Sequence, residues 1–334
     1  MKKLNKIILL MAILPFLFVT SCKDDDPTPV NPIEPGSSFD ILSEYLVSND
    51  MDLDDVLGAV GGSWITARPA TADDIPGFLS TRYVLDIRAE GDYNSGHIEG
   101  AVNSSLGSIV ADAANAGDKQ ILVVCYTGQT ASHATVALRL SGFDNAQVLK
   151  WGMSGWTTET GYDKWSGATS SAGKASPNWT MNSTLPAETF EYPSFTTTST
   201  DGATILEDRV AVMTAGGFKG VVSSDVYTTP ANYHINNYWA EADVTKYGHI
   251  DGAYRISPLT LAGGEMANLD PAASVVTYCW TGQTSSMITA YLTVLGYDAL
   301  SLKFGANSMI YDDLVANQAH NWAPPGSDYP LVAN

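Results

Sequence analysis

Apolar residues in this chain fall into short uninterrupted runs, and these runs alternate with stretches of helical spacing. Tyr83 to Ile87 is one run, with Asp86 near its end and Arg88 just beyond. Ile121 to Val124 is another, aliphatic and free of polar interruption, the pattern of a strand covered on both faces. After Gly128, the residues Ala131, Ala134, Ala137, Leu138 and Leu140 give helical spacing, and the stretch stops at Gly142. Ala146 to Leu149 then reads as a further strand. The same order returns later: Ser274 to Tyr278 as strand, Ser285 to Leu295 as helix, Ala299 to Leu302 as strand. Strand, loop, helix and strand with short connections predict an α/β fold with parallel sheets covered by helices.

The recurrence extends to identity. Gly96-His97-Ile98-Glu99-Gly100-Ala101 matches Gly248-His249-Ile250-Asp251-Gly252-Ala253. Cys125-Tyr126-Thr127-Gly128-Gln129-Thr130 matches Cys279-Trp280-Thr281-Gly282-Gln283-Thr284. Leu149-Lys150-Trp151-Gly152 matches Leu302-Lys303-Phe304-Gly305. The three offsets are 152, 154 and 153 residues. Three ordered blocks at nearly one offset indicate duplication of a whole domain, since solenoid repeats are far shorter. The expected domains are 39–160 and 189–325. The Ser-, Thr-, Gly- and Pro-rich segment 161–188 between them is a linker whose Trp165 and Trp179 are available for packing. In the second copy, Tyr227 to Thr245 reads as an insertion that forms a lid or a domain contact.

The start of the chain has a different character. Lys2, Lys3 and Lys6 precede an apolar run from Ile7 to Phe18, too short for a comfortable membrane span, so residues 1–21 read as a signal peptide. Val19-Thr20-Ser21-Cys22 resembles a bacterial lipobox. Lipidation of Cys22 would then anchor the mature protein in the membrane of the cell envelope, facing the periplasm or the cell surface. Residues 22–38, with Asp24 to Asp26 and a Pro-rich stretch, read as a tether. The acidic run resembles an export signal of surface-exposed lipoproteins and is equally consistent with a solvated spacer.

Charge narrows the partners. The 334 residues carry a formal net charge of −19, and loss of the three leader lysines takes it to −22. Nucleic acid is therefore excluded as a partner, because binding it requires cations to neutralise phosphate. The histidines lack ligand spacing with Cys or Asp, so no metal is expected. No Gly-rich nucleotide fingerprint is present, and no cofactor is expected.

After lipidation only Cys125 and Cys279 remain. An even pair in an oxidising compartment ordinarily suggests a disulfide, but equivalent positions in a repeat argue for two separate sites. Each cysteine ends a buried strand just before a helix, at the sheet edge where α/β proteins bind ligands. Convergent loop N–H groups there favour negative charge, so the thiolate should be stabilised and its pKa lowered. Gly128 and Gly282 permit the tight curl, and Thr127, Gln129 and Thr130 offer further donors. A free cysteine is often only a small buried hydrophobe. Duplication of the whole loop favours chemistry over that reading.

Asp86-Ile87-Arg88, then Gly96 to Ala101, then the Cys125 loop together resemble the rhodanese (sulfurtransferase) superfamily. The resemblance covers about Phe39 to Trp156 and, more loosely, Phe190 to Ala316. It implies two rhodanese-like domains, each a central parallel β-sheet flanked by helices. It also implies a thiolate that takes a sulfane sulfur as a persulfide and passes it to a thiol or cyanide-like acceptor. Thiosulfate, polysulfide and persulfides are the donor class. Tyr126 to Thr130 and Trp280 to Thr284 would form the cradles. Asp86 and Arg88 would position the loop, and His97 and His249 would support turns. His133 is matched by Met287, so a shared mechanism cannot require it.

Neither loop carries the Arg or Lys found in familiar thiosulfate-using members; Lys150 and Lys303, with Arg88, are the candidate anion-binding replacements. The second copy lacks Asp-x-Arg at the matching spacing, with Asp225 the nearest candidate. A phosphatase of related fold needs arginine where Ala131 and Ser285 stand. The remaining alternative is a non-enzymatic sulfane-sulfur carrier or binding module on the cell envelope.

Overall fold

In the computed structural model, residues 35–334 are described, with side chains from residue 38. The expected leader, the lipidation site Cys22 and tether residues 22–34 lie outside the described residues. Residues 35–38, counted with the tether above, belong instead to the helix Pro35–Ser48. Phe39, Leu42 and Leu46 recur at helical spacing along it and are buried, which fixes that helix to the core.

The first copy builds a five-stranded sheet from β1 (Ile65–Thr66), β2 (Arg82–Asp86), β3 (Val102–Asn103), β4 (Gln120–Val124) and β5 (Gln147–Leu149). Their order is β1-β5-β4-β2-β3, with every pairing parallel. The linker contributes β6 (Trp179–Thr180). The second copy supplies β7 (Gly220–Val221), β8 (His234–Asn237), β9 (His249–Ile250), β10 (Val275–Tyr278) and β11 (Ala299–Leu302). Its main sheet runs β7-β11-β10-β8, again parallel, and β6 pairs antiparallel with β9. The two copies therefore share one topology, β4 corresponding to β10 and β2 to β8.

That correspondence corrects the sequence reading of the second copy. Tyr227 to Thr245 is not an insertion. It contains β8, a strand of the main sheet, and most of the helix Glu241–Tyr247 that follows it. The strand reads His-Ile-Asn-Asn, and all four residues are buried. Its polar side chains hid it. Asn236 explains how one is tolerated: its amide bonds both the N–H and the C=O of Ile256.

Strand period two sorts side chains between two faces. Leu122 and Val124 face an outer cluster with Val84, Leu149 and Trp156. Val276 and Tyr278 face its counterpart in the second copy, with Ile235 and Trp239. Ile121, Val123 and Cys125 point the other way, into a core that continues through Leu138 to Met287, Tyr291 and Val275. Both copies share this inner core, and the described residues form one compact unit. The linker is pinned to it: Trp165 is fully buried, and Trp179 Nε1 donates to the Tyr247 carbonyl. No described helix is long and apolar enough to cross a membrane.

Candidate functional site

Each cysteine stands at the carboxyl end of the third strand along its sheet, directly before a loop helix. The helices are Gln129–Leu140 and Gln283–Leu295. Gly128 and Gly282 precede them in the left-handed region, at φ +82° and +75°. This curl turns amides back towards the sulfur. The N–H groups of Gly128 and Ala131 donate to Cys125 Sγ at 3.2 and 3.3 Å. In the second copy Ser285 N–H donates to Cys279 Sγ at 3.3 Å, and the thiol lies 3.6 Å from Ser285 Oγ. Ser285 Oγ is itself bonded to Ser301 Oγ. Both cysteines are free thiols.

Burial outweighs those amides at the first site. Cys125 is only 5% exposed, and loss of solvent pushes its thiol above the usual range despite N–H groups that favour the thiolate; Asp86 adds to the rise. The expected lowering of the Cys125 pKa is thus reversed. Desolvation penalises a charge more than two or three neutral dipoles reward it.

The loop side chains do not reach the sulfur atoms; they join the two loops. Gln129 Oε1 accepts from Phe304 N–H at 2.8 Å, and Gln283 Nε2 donates to the Thr127 carbonyl at 3.4 Å. Each glutamine also engages its own loop threonine, Gln129 with Thr127 and Gln283 with Thr281. Contact is close enough that a Cβ on Gly128 would stand 2.1 Å from Gln283 Nε2. One on Gly282 would stand 2.4 Å from Gln129 Oε1. Thr130 and Thr284 are half-buried at the helix starts.

Arg88 uses Nε and Nη2 within the protein, while its buried Nη1 has no partner among the described residues. Its guanidinium pairs with Asp86, bonds the Gly96 carbonyl and lies 5.1 Å from the Tyr126 ring centre. It therefore positions the residue after Cys125. Strand register identifies the second-copy equivalents that sequence spacing missed. Asp86 pairs with Val124, and Asn237 pairs with Tyr278, so Asn237 and Trp239 stand where Asp86 and Arg88 do. Asp225 lies in another helix, Ser223–Thr228. Trp239 stacks on Trp280, rings 4.3 Å apart, just as Arg88 covers Tyr126. Only an aromatic ring at the end of a strand hinted at this role.

Lys150 is exposed beside Trp151, and Lys303 packs its stem against Gly220. Neither figures among the leading influences on the Cys125 thiol. His97 stacks on Tyr93 and pairs its backbone with Val332; His249 bonds the carbonyls of Ile250 and Asn182. Both histidines hold turns.

An aromatic clasp covers the loop tips. Trp165 Nε1 donates to the Thr127 carbonyl, and its ring stacks on Trp322 and abuts Phe304 and Trp151. Asn307 bonds the carbonyls of Trp280 and His320 and receives Trp322 N–H. Linker and C-terminal segment thus pack on the tips of both cysteine loops.

Fold and site together define an α/β protein with a duplicated cysteine loop, amides turned to the sulfur, at its strand tips. Residues 71–159 match the family model of the rhodanese-like domain. The chain is 35% identical over 74 residues to the thiosulfate sulfurtransferase GlpE of Shewanella oneidensis, covering 22% of this chain and 73% of that protein. It is 35% identical over 82 residues to the uncharacterized protein YibN of Escherichia coli, covering 23% of this chain and 56% of that one. The chain belongs to the rhodanese family. Among solved structures, a thiosulfate sulfurtransferase from Pseudomonas aeruginosa aligns at a TM-score of 0.28 and 16% identity, over 87% of this chain and 49% of that one. The 3-mercaptopyruvate sulfotransferase SseA of Escherichia coli aligns at 0.27 and 15%, over 72% and 97%. Those two superpositions are too loose to support either fold or function.

Proposed function

We propose that the protein is a sulfurtransferase that carries sulfane sulfur on Cys125 and Cys279. The observation that carries this reading is the sulfur atom at each strand tip with backbone N–H groups aimed at it, in a chain of the rhodanese family. With thiosulfate as donor, the thiolate attacks the outer sulfur, the donor S–S bond breaks, and sulfite leaves. The resulting persulfide anion is held by the loop amides. A thiol or cyanide then attacks the outer sulfur, breaks the persulfide bond and restores the thiolate. The loop amides are the protein's contribution to these steps.

Intact-mass measurement after thiosulfate, polysulfide or glutathione persulfide tests this reading. The expected result is a gain of one sulfur per reactive cysteine, lost in Cys125→Ser or Cys279→Ser and reversed catalytically by an acceptor. No gain with any donor would leave a binding role. Burial of both thiols favours a second reading, a carrier that loads stoichiometrically without turnover. We also propose anchoring to the cell envelope through lipid on Cys22, supported by the basic, apolar and small-residue-plus-cysteine order of the first 22 residues. Incorporation of labelled fatty acid, abolished by Cys22→Ala, is the expected outcome.

A further inference from the structure

The strand-tip face beside Cys125 carries a hollow that differs in charge from four others among the described residues. It has a volume of about 260 Å³ and is lined by Ala67, Arg68, Lys150, Trp151, Gly155 and two clasp residues, Ala323 and Pro325. The whole chain has a net charge of −19. Four other hollows among the described residues each include a carboxylate in their walls, such as Glu207, Asp270, Asp208 and Asp144. This hollow has two cations and no carboxylate.

Neither cation is in an ion pair with a described carboxylate. Among the described residues the ion pairs are Arg88–Asp86 and Lys174–Asp313, and neither includes Arg68 or Lys150. Arg68 is held in place: Nη1 donates to the carbonyls of Trp156 and Ser327, and its plane lies over the Tyr329 ring at 4.2 Å. Its other guanidinium nitrogens make no hydrogen bond among the described residues. Asp328, a carboxylate within its field, is occupied by Thr157 and Thr158. Lys150 leans over Trp151 at 5.0 Å.

The hollow is also joined to the reactive loop. Trp151 is its wall and at the same time part of the clasp, in edge contact with Trp165 and Trp322. Two residues on, Met153 N–H donates to the Cys125 carbonyl at 2.8 Å. At this size, below the roughly 300–1,000 Å³ that hold drug-sized ligands, it suits a small anion.

We propose that Arg68 and Lys150 form a docking site for the oxyanion group of the sulfur donor, at the entrance to the Cys125 loop. The donor assignment rests on the sulfur-transfer reading above; the anion site itself does not. A fixed guanidinium fork supplies geometry, and the mobile ammonium adds charge. Together they take over the task that a cation within the loop performs elsewhere in the family.

The test begins with the full chain carrying Cys125→Ser and Cys279→Ser, so that no sulfur chemistry contributes. Calorimetric titration with sulfate and with thiosulfate, at ionic strength held constant with chloride, should show one saturable site for each. Lys150→Glu, a change on an exposed side chain that leaves the fold intact, should weaken binding at least tenfold. Lys119→Gln combined with Lys246→Gln, remote surface changes, should leave it unaltered. Absence of a saturable site, or equal affinity in Lys150→Glu, overturns the proposal. In the cysteine-containing protein, Lys150→Glu should raise the half-saturating thiosulfate concentration for persulfide formation and spare the maximal rate; an unchanged concentration also overturns it. Binding without any persulfide would instead sink the sulfur-transfer reading and leave the anion site standing.

Discussion

Burial restrains ionisation of the Cys125 thiol. The thiol is pushed above the usual range chiefly by desolvation, so the reactive thiolate is scarce near neutrality and grows with pH. Alkylation of Cys125 by iodoacetamide, followed by peptide mass mapping, should therefore rise about tenfold per pH unit and keep rising past the ordinary thiol pKa of about 8.5. A plateau near pH 7 would contradict this. The amides nearest the sulfur depend on glycines elsewhere. Gly152 has φ +59°, and a Cβ there would stand 2.2 Å from the Cys125 carbonyl oxygen. Gly152→Ala should cost about 2 kcal/mol or more from the left-handed backbone alone, read as a lowered denaturant midpoint, and should displace the loop. Gly305→Ala should do the same at Cys279, where the clearance is 2.3 Å.

The loop helices are buried almost all round, between their own sheet and the other copy, as their runs of Ala, Ser and Thr allow. This places His133 in the interior. Its ring nitrogens have no partner within hydrogen-bonding geometry, the Phe218 ring meets it edge-on, and burial lowers its pKa to about 4. A histidine whose folded pKa is depressed is neutral in the native state. Its contribution is intact above the unfolded value of about 6.5 and is lost as pH falls towards 4. The loss is on the order of 3 kcal/mol, since each pKa unit is worth about 1.4 kcal/mol. His133→Met, copying Met287, should flatten the stability profile across that window in urea titrations at successive pH values. An unchanged acid limb would place the sensitivity elsewhere. At this scale the strands flanked by aliphatic runs, β4, β5, β10 and β11, were legible because a doubly covered strand must be apolar. Strand β8 was not, because Asn236 meets its hydrogen bonds through Ile256, a residue that only the fold brings near.

Across the molecule, the two copies share one core instead of owning one each. Val136, Leu138 and Leu140 belong to the same apolar cluster as Met287, Tyr291 and Leu295. Residues 39–160 produced alone should therefore expose that face and aggregate, whereas residues 35–334 should unfold in one calorimetric transition. Two separated transitions would refute the shared core. The clasp is the second feature at this scale. Trp322→Ala should open the cover over the loops and speed alkylation of both cysteines severalfold, at a stability cost of about 3–5 kcal/mol; unchanged alkylation would mean that access lies elsewhere. The sequence alone determined the duplication, the α/β class, the two cysteines and the curl of their loops. Those features arise from local periodicity, glycine conformation and identity between the copies, which neighbouring residues suffice to express. That Cys125 is desolvated, that Gln129 and Gln283 bridge the loops, that Trp239 replaces Arg88, and that Arg68 joins Lys150 were decided by tertiary structure. Each depends on groups far apart in the chain, and solvent exclusion and charge placement become defined only once those groups have packed.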